Sequence, residues 1–194
     1  TVTGVIGAAS TWNISGFLMV GNGGIGRLEI TNGGVVNVST QTNAGLSIGE
    51  SPTSDGSSVL VSGNGSQLNH LGTGRLSVGN FGGSVANALV DGAGSRIDAT
   101  TEVTIGDQGS GSATIQAGGV IESQNVVRIG GIQSGVGVAT VTGVGSQLVA
   151  GTTLSVADVD SGAGSATGTL NLDSGGTAKS TGHTFIGRQG ENVG

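Results

Sequence analysis

Asp98 and Glu122 are the two carboxylates whose types and spacing best suit chemistry in this sequence. Two carboxylates that converge on one surface can act as an acid/base pair in glycoside hydrolysis, or can hold a cation weakly. The repeat described below would place them on adjacent coils, about 5 Å apart. No histidine or tyrosine is predicted beside them, so we interpret them as solvated side chains of a polar ladder. We therefore predict no catalytic residues.

Two further groups of residues could bind a metal ion. Asp158 and Asp160 lie in an Asp-Val-Asp-Ser-Gly stretch that is similar to calcium loops, but the other ligands and the terminal glutamate of an EF-hand are missing. We interpret this stretch as a solvated loop. His70 and His183 are isolated in the sequence, and we expect both at the surface or at a sheet edge. The sequence thus predicts no metal site.

Glycines and aromatic residues provide the last candidates for binding. Gly21 to Gly26 form a glycine-rich stretch, but no helix is predicted after it to bind a phosphate, so we interpret these residues as turn glycines and predict no cofactor. Trp12, Phe17 and Phe81 could form an aromatic platform for a sugar. Trp12 occupies a predicted inward position and is expected in the core, which leaves Phe17 and Phe81 as candidate surface contacts.

The composition excludes several classes of protein. The 194 residues include 42 Gly and one Pro, and only 2% are aromatic and 9% charged, so a conventional globular core is not expected. The chain lacks the Gly-X-Y register of collagen, and its many β-branched residues argue against disorder. The net charge is −6 with no basic cluster, which argues against a nucleic-acid partner. Cysteine is absent, and no apolar run approaches the length of a membrane span.

An apolar-x-apolar-Gly phrase recurs along the chain, with Ala in place of Gly in the sixth copy. The last apolar residue of each copy is, in order, Val20, Ile48, Val78, Ile105, Ile129, Val156 and Ile186. The steps between them are 28, 30, 27, 24, 27 and 30 residues. The sequence therefore has a period near 27 residues, with insertions and deletions in loops.

Two other apolar columns accompany this phrase. A first alternating strand contributes Val2, Ile30, Val61, Val90, Ile115, Val141 and Leu172. A second strand, after a turn of small residues, contributes Trp12, Val36, Leu68, Ile97, Ile121, Leu148 and Ala178. Three short strands per repeat can pair only with the same strands of the next repeat. We predict an all-β fold, a parallel β-helix (β-solenoid) of about seven coils, with residues 1–194 forming one segment of a longer solenoid.

The order of these phrases resembles the passenger domains of Gram-negative autotransporters, particularly adhesin-like passengers. Thr11-Trp12-Asn13, Leu18 to Gly24, Gly26 to Ile30 and Gly33-Gly34 follow the repeat of that family, and the resemblance covers nearly the whole chain. It implies a right-handed parallel β-helix at the bacterial cell surface. Such a passenger is secreted and is anchored in the outer membrane through a part outside this sequence.

We expect a non-catalytic scaffold that acts in adhesion or self-association, including aggregation and biofilm formation. Its expected partners are a second copy of itself, meeting face to face or end to end, or a host-cell, matrix or glycan surface, with no membrane insertion by this segment. One alternative is a filament unit, because neither end shows a polar cap. Another is a carbohydrate-active β-helix enzyme. Ice binding is disfavoured because the outward residues of the third strand are small and mostly neutral but do not form a threonine array.

Overall fold

The computed structural model describes residues 2–3, 10–40, 45–131, 134–159 and 164–188, and for residues 2–3 it describes the backbone alone. These residues form strands and turns, and none of the described segments is a helix that could cross a membrane. In chain order the strands are β1 (Val2–Thr3), β2 (Thr11–Ile14), β3 (Leu18–Val20), β4 (Arg27–Thr31), β5 (Val35–Val38), β6 (Leu46–Ile48), β7 (Ser57–Ser62), β8 (Gln67–His70), β9 (Arg75–Val78), β10 (Val85–Asp91), β11 (Arg96–Ala99), β12 (Glu102–Ile105), β13 (Ser110–Gln116), β14 (Val120–Ser123), β15 (Val126–Ile129), β16 (Val136–Thr142), β17 (Gln147–Ala150), β18 (Thr153–Val156), β19 (Thr167–Asp173), β20 (Thr177–Ser180) and β21 (Thr184–Ile186).

The described strands form three parallel sheets of seven strands each, and each strand from β1 to β18 pairs with the strand three places further along the chain. The first sheet runs from β1 to β19, the second from β2 to β20 and the third from β3 to β21. This arrangement is the predicted parallel β-solenoid. The chain completes about six full turns between β1 and β19, so the expectation of about seven coils was slightly high. The partial seventh turn holds β19, β20 and β21.

The three apolar columns predicted from the sequence are confirmed in register. In the first sheet Ile30 pairs with Val61, Val61 with Val90, and so on to Leu172. In the third sheet Val20, Ile48, Val78 and their successors align in the same way. Most of these side chains are fully buried because alternate residues of a strand face opposite sides of its sheet, and the inward faces of the three sheets meet in one core.

A residue with positive φ ends most of the third strands. Gly106 is an example: its φ is 72°, and a Cβ atom there would lie 2.1 Å from the carbonyl oxygen of Val136 in the next coil. Both the left-handed backbone and the close approach therefore require glycine. The following residue, Asp107, lies over the outer face of the third sheet, where it contributes to the candidate site.

The inward side chains of the outermost strands are less buried than those of the inner strands. Trp12 was expected in the core, but its side chain is 44% exposed, so that prediction is wrong. Trp12 does align with Val36 as predicted. Because β2 is the outermost strand of its sheet, however, Trp12 has a neighbouring strand on one side only. The same geometry leaves Leu172 52% and Ile186 81% exposed.

Candidate functional site

The outer face of the third sheet is covered, which the sequence did not predict. Its central column consists of the outward residues Met19, Ser47, Ser77, Thr104, Arg128, Ser155 and Phe185, aligned as expected. Ser77, Thr104 and Ser155 are nevertheless at most 1% exposed. Alternation along the strands would leave this column in water, but polar side chains from both edges of the sheet fold over it.

Two rows of residues flank this column, and together with it they define what we call the third-sheet groove. One row comes from the starts of the strands: Arg75, Glu102, Val126 and Thr153, which are in register. The other row is the residue that follows the turn residue after each third strand: Asn22, Glu50, Asn80, Asp107, Gly131, Asp158 and Arg188. All but Gly131 in this second row are polar or charged, a pattern that is visible in the sequence once the period is known.

Ion pairs close the groove across several coils. The guanidinium of Arg75 lies 2.9 Å from the Asp107 carboxylate, and that of Arg128 lies 3.0 Å from the Glu102 carboxylate. Arg128 also approaches Asp158 at 3.4 Å, and Arg188 donates two hydrogen bonds of 2.8 Å to the same carboxylate. Buried charges require partners of this kind, since an unpaired charge away from water is strongly unfavourable.

The two buried carboxylates of the groove differ in proton affinity. Burial raises the pKa of Asp107 above its ordinary value, although the nearby Arg75 guanidinium opposes the effect. Burial would also raise the pKa of Asp158, but hydrogen bonds from Arg188 and Ser155 outweigh it and hold that pKa below the ordinary value. Asp158 was expected in a solvated loop. That expectation is wrong, because its side chain is 1% exposed and held by arginines.

One part of the groove is open and forms a cleft of about 240 Å³. The residues that line this open cleft are Phe17, Met19, Gly45, Leu46, Ser47, Glu50, Arg75, Ser77, Asn80, Asp107 and Gln108. The Asn80 amide donates a hydrogen bond of 2.6 Å to the Glu50 carboxylate on one wall. The Ser77 Oγ atom on the floor is buried and has no hydrogen-bond partner within the described part of the chain. The cleft thus combines a satisfied polar wall with an unsatisfied polar floor.

Asp98 and Glu122 are paired in register on adjacent strands of the second sheet, as the sequence predicted. They are not a free carboxylate pair. The Arg96 guanidinium donates hydrogen bonds of 3.0 and 2.8 Å to Asp98 and one of 2.6 Å to Glu122. These bonds, chiefly the two to Asp98, raise the pKa of Arg96 above its already high ordinary value. The sequence signal for this partner was present, because Arg96 lies two residues before Asp98 on the same face of the strand.

The histidines have opposite environments. His183 is exposed, as expected, and its ring centroid lies 5.8 Å from that of Phe185. His70 was expected at the surface or a sheet edge, and that expectation is wrong: it is fully buried, between Val38 and Ala99 in an inward column of the second sheet. Its position two residues after Leu68 was the missed signal. Neither of its ring nitrogens has a hydrogen-bond partner in the segments that the structure describes, and burial lowers its pKa.

The remaining residues singled out from the sequence are turn glycines, aromatic residues and an aspartate. Gly21 and Gly23 have φ values of 87° and 79° in the turn between β3 and β4, in keeping with their interpretation as turn glycines. Phe17 and Phe81 are 54% and 47% exposed, so both reach the surface as predicted. Asp160 lies outside the described residues. Within the described residues, no three histidine or carboxylate side chains cluster to hold a metal ion.

The chain was compared with family models, with curated proteins and with solved structures. None of the three comparisons gives a match.

Proposed function

We propose that the protein is a non-catalytic scaffold of an extracellular surface protein, of the kind its repeats resemble, and that it acts through self-association. The observation that carries this proposal is the outer face of the first sheet. Two of its outward columns run through β7, β10, β13, β16 and β19 as Ser58, Asn87, Ser112, Val138 and Thr169, and beside them Leu60, Leu89, Thr114, Thr140 and Asn171. These ten residues are uncharged, and we call them the first-sheet face. Charged residues lie at its borders: Arg27 and Glu29 continue the two columns in β4, and Asp91 and Asp173 belong to the next outward column.

The first-sheet face suits contact with an equally regular partner. Its rungs repeat at the strand spacing of about 4.8 Å, so a second copy presents the same spacing and can match its side chains rung by rung. Five rungs of six- to seven-residue strands cover at most about 19 Å by 23 Å, or roughly 440 Å². A stable interface needs about 800 Å² per partner. Association through this segment alone is therefore expected to be weak, and a longer solenoid would strengthen it by adding rungs.

The state of the carboxylates supports a role without catalysis. The two carboxylates of the best candidate pair, Asp98 and Glu122, are both held by Arg96. Asp107 is held by Arg75 in the same manner. A general acid or base must be able to exchange its proton with substrate, and a carboxylate that is occupied by a guanidinium is poorly placed to do so.

Sedimentation velocity across a range of concentrations tests the proposal. We expect weak, concentration-dependent association, and we expect the double variant Thr114→Lys/Thr140→Lys to weaken it at least tenfold because like charges would then face each other. Val144→Lys is the control: it adds a lysine, one charge instead of two, at a turn residue that is 86% exposed and lies off the first-sheet face.

Two results would reject this proposal. One is a wild-type protein that stays monomeric at every concentration. The other is association that survives the lysine pair but is lost in Leu172→Pro, which removes a backbone donor from β19. That outcome would favour end-to-end stacking in a filament.

A further inference from the structure

The open cleft of the third-sheet groove has the features of a ligand site. We infer that it binds one neutral sugar residue, presented by a larger glycan. This inference goes beyond self-association through the first-sheet face and does not depend on it, because the two surfaces lie on different sheets.

The unsatisfied hydroxyl of Ser77 is the first observation. Ser77 is 1% exposed, and its Oγ atom has no hydrogen-bond partner among the described residues. The two other buried hydroxyls of the same column are satisfied: Thr104 donates to Glu102 at 3.0 Å, and Ser155 bonds to Asp158. A buried polar group without a partner is unfavourable and calls for an explanation, and a ligand hydroxyl in the cleft would provide the missing partner.

The polar groups around Ser77 can form hydrogen bonds with the hydroxyl groups of a sugar. A sugar hydroxyl both donates and accepts, so it can bridge a guanidinium donor and a carboxylate acceptor. Arg75 and Asp107 offer this combination 2.9 Å apart, and Glu50 and Asn80 offer an acceptor and an amide 2.6 Å apart. Adjacent hydroxyls of one sugar ring could therefore reach several of these groups at once.

The charge of the cleft selects against ionic ligands. Glu50 and Asp107 each contribute −1 and Arg75 contributes +1, so the lining sums to −1 at neutral pH. Phosphate, sulfate and carboxylate groups would be repelled by this net negative charge. The described residues also lack the three clustered ligands that a metal ion would require. A neutral polyol is the class of ligand that fits.

The apolar end and the size of the cleft restrict the class of ligand further. Phe17, 54% exposed, and Met19 line one end, where the C–H face of a sugar ring could pack on the aromatic ring. The volume of about 240 Å³ is smaller than the roughly 300–1,000 Å³ of sites for drug-sized ligands. One ring can enter, while the rest of the glycan remains in solvent.

Amide chemical-shift mapping on the full chain tests the inference. The probes are the methyl glycosides of glucose, galactose, mannose and N-acetylglucosamine, with methyl glucuronide as the acidic comparison. We expect at least one neutral glycoside to shift the amides of Ser77, Asn80 and Gln108. The glucuronide should bind more weakly than its neutral counterpart, because its carboxylate meets the negative lining.

Ser77→Ala is the decisive variant. It should weaken the binding of that glycoside about threefold to tenfold, the equivalent of one hydrogen bond. Its melting temperature should remain unchanged or rise, because the substitution removes a buried hydroxyl that has no partner. Phe17→Ala should weaken binding too, whereas Ser112→Ala on the first-sheet face is the control and should not.

Three outcomes would overturn the inference. They are the absence of shifts at the cleft with all four neutral glycosides, equal or tighter binding of the glucuronide, and unchanged affinity in Ser77→Ala. None of them bears on sedimentation, so the sugar site and the self-association proposal can fail separately.

Discussion

Substitution of Thr104 by aspartate is the sharpest test of whether the third-sheet groove is closed. Thr104 faces outward, so a solvated outer face would tolerate a carboxylate there. In the structure, however, Thr104 is 0% exposed and donates a 3.0 Å hydrogen bond to Glu102. Thr104→Asp would replace that donor with a second carboxylate next to the first, in a place that water does not reach.

The expected loss of stability can be worked out from this contact. Two like charges about 4 Å apart repel by about 4 kcal/mol at the effective dielectric constant of roughly 20 that suits protein sites. Arg128, which lies 3.0 Å from Glu102, offsets part of this repulsion. We expect Thr104→Asp to lower the free energy of unfolding by about 2–4 kcal/mol.

Two companion variants bracket this value. Ile105→Asp removes a fully buried side chain and leaves an unpaired charge in the core, so we expect a loss of more than about 4 kcal/mol. Thr114→Asp also faces outward, but on the half-exposed first-sheet face between Leu89 and Thr140. It should cost less than about 1 kcal/mol.

Urea unfolding followed by far-UV circular dichroism measures the three losses. Hydrogen exchange shows where each variant opens, and we expect lost protection in β12 and its neighbours β9 and β15 for the first two variants. If Thr104→Asp costs no more than Thr114→Asp, the outer face of the third sheet is solvated and the groove is not closed over Thr104.

Two further predictions concern His70 and Gly137. Burial lowers the pKa of His70 in the folded protein, so the unfolded chain takes up a proton first. The free energy of unfolding should therefore fall as the pH drops through about 6.5. Urea unfolding at several pH values should show that His70→Val removes this part of the decline and that His183→Ala does not. Gly137→Ala would place a Cβ atom 2.1 Å from the carbonyl oxygen of Ile105 and should cost about 1–3 kcal/mol. Gly16→Ala, with no atom within 4 Å of the added carbon, should leave the thermal midpoint nearly unchanged.

The strand register of this protein could be predicted from the sequence alone. Each repeat offers at least one inward apolar residue per strand, and a shift of one residue would expose the whole column, so the alternation fixes the register. The pairing of Ile105 with Val78 and Ile129 follows from this rule, and so does the pairing of Asp98 with Glu122. The exposure of Trp12 did not follow, because burial at an outermost strand depends on neighbours and not on alternation.

The site was harder to predict because it depends on side chains that cross between columns. Register shows that Asp158 and Arg188 are equivalent residues of adjacent coils, but not that the long arginine side chain folds back onto the buried carboxylate. The orphan hydroxyl of Ser77 is likewise invisible in the sequence, where Ser77 and Ser155 occupy equivalent positions in the same phrase. The partner that distinguishes them, Asp158, belongs to the flanking row beyond the turn residue.

A solenoid of this kind separates the backbone from the chemistry of its surface. The inward columns hold the coils at a constant spacing of about 4.8 Å, so a change in one outward residue alters the groove locally without altering its shape elsewhere. Arg128 closes the groove between Glu102 and Asp158. Two coils earlier, the smaller Ser77 occupies the same column and leaves space. The choice of one residue per coil therefore determines where the groove is an internal salt-bridge network and where it can admit a ligand.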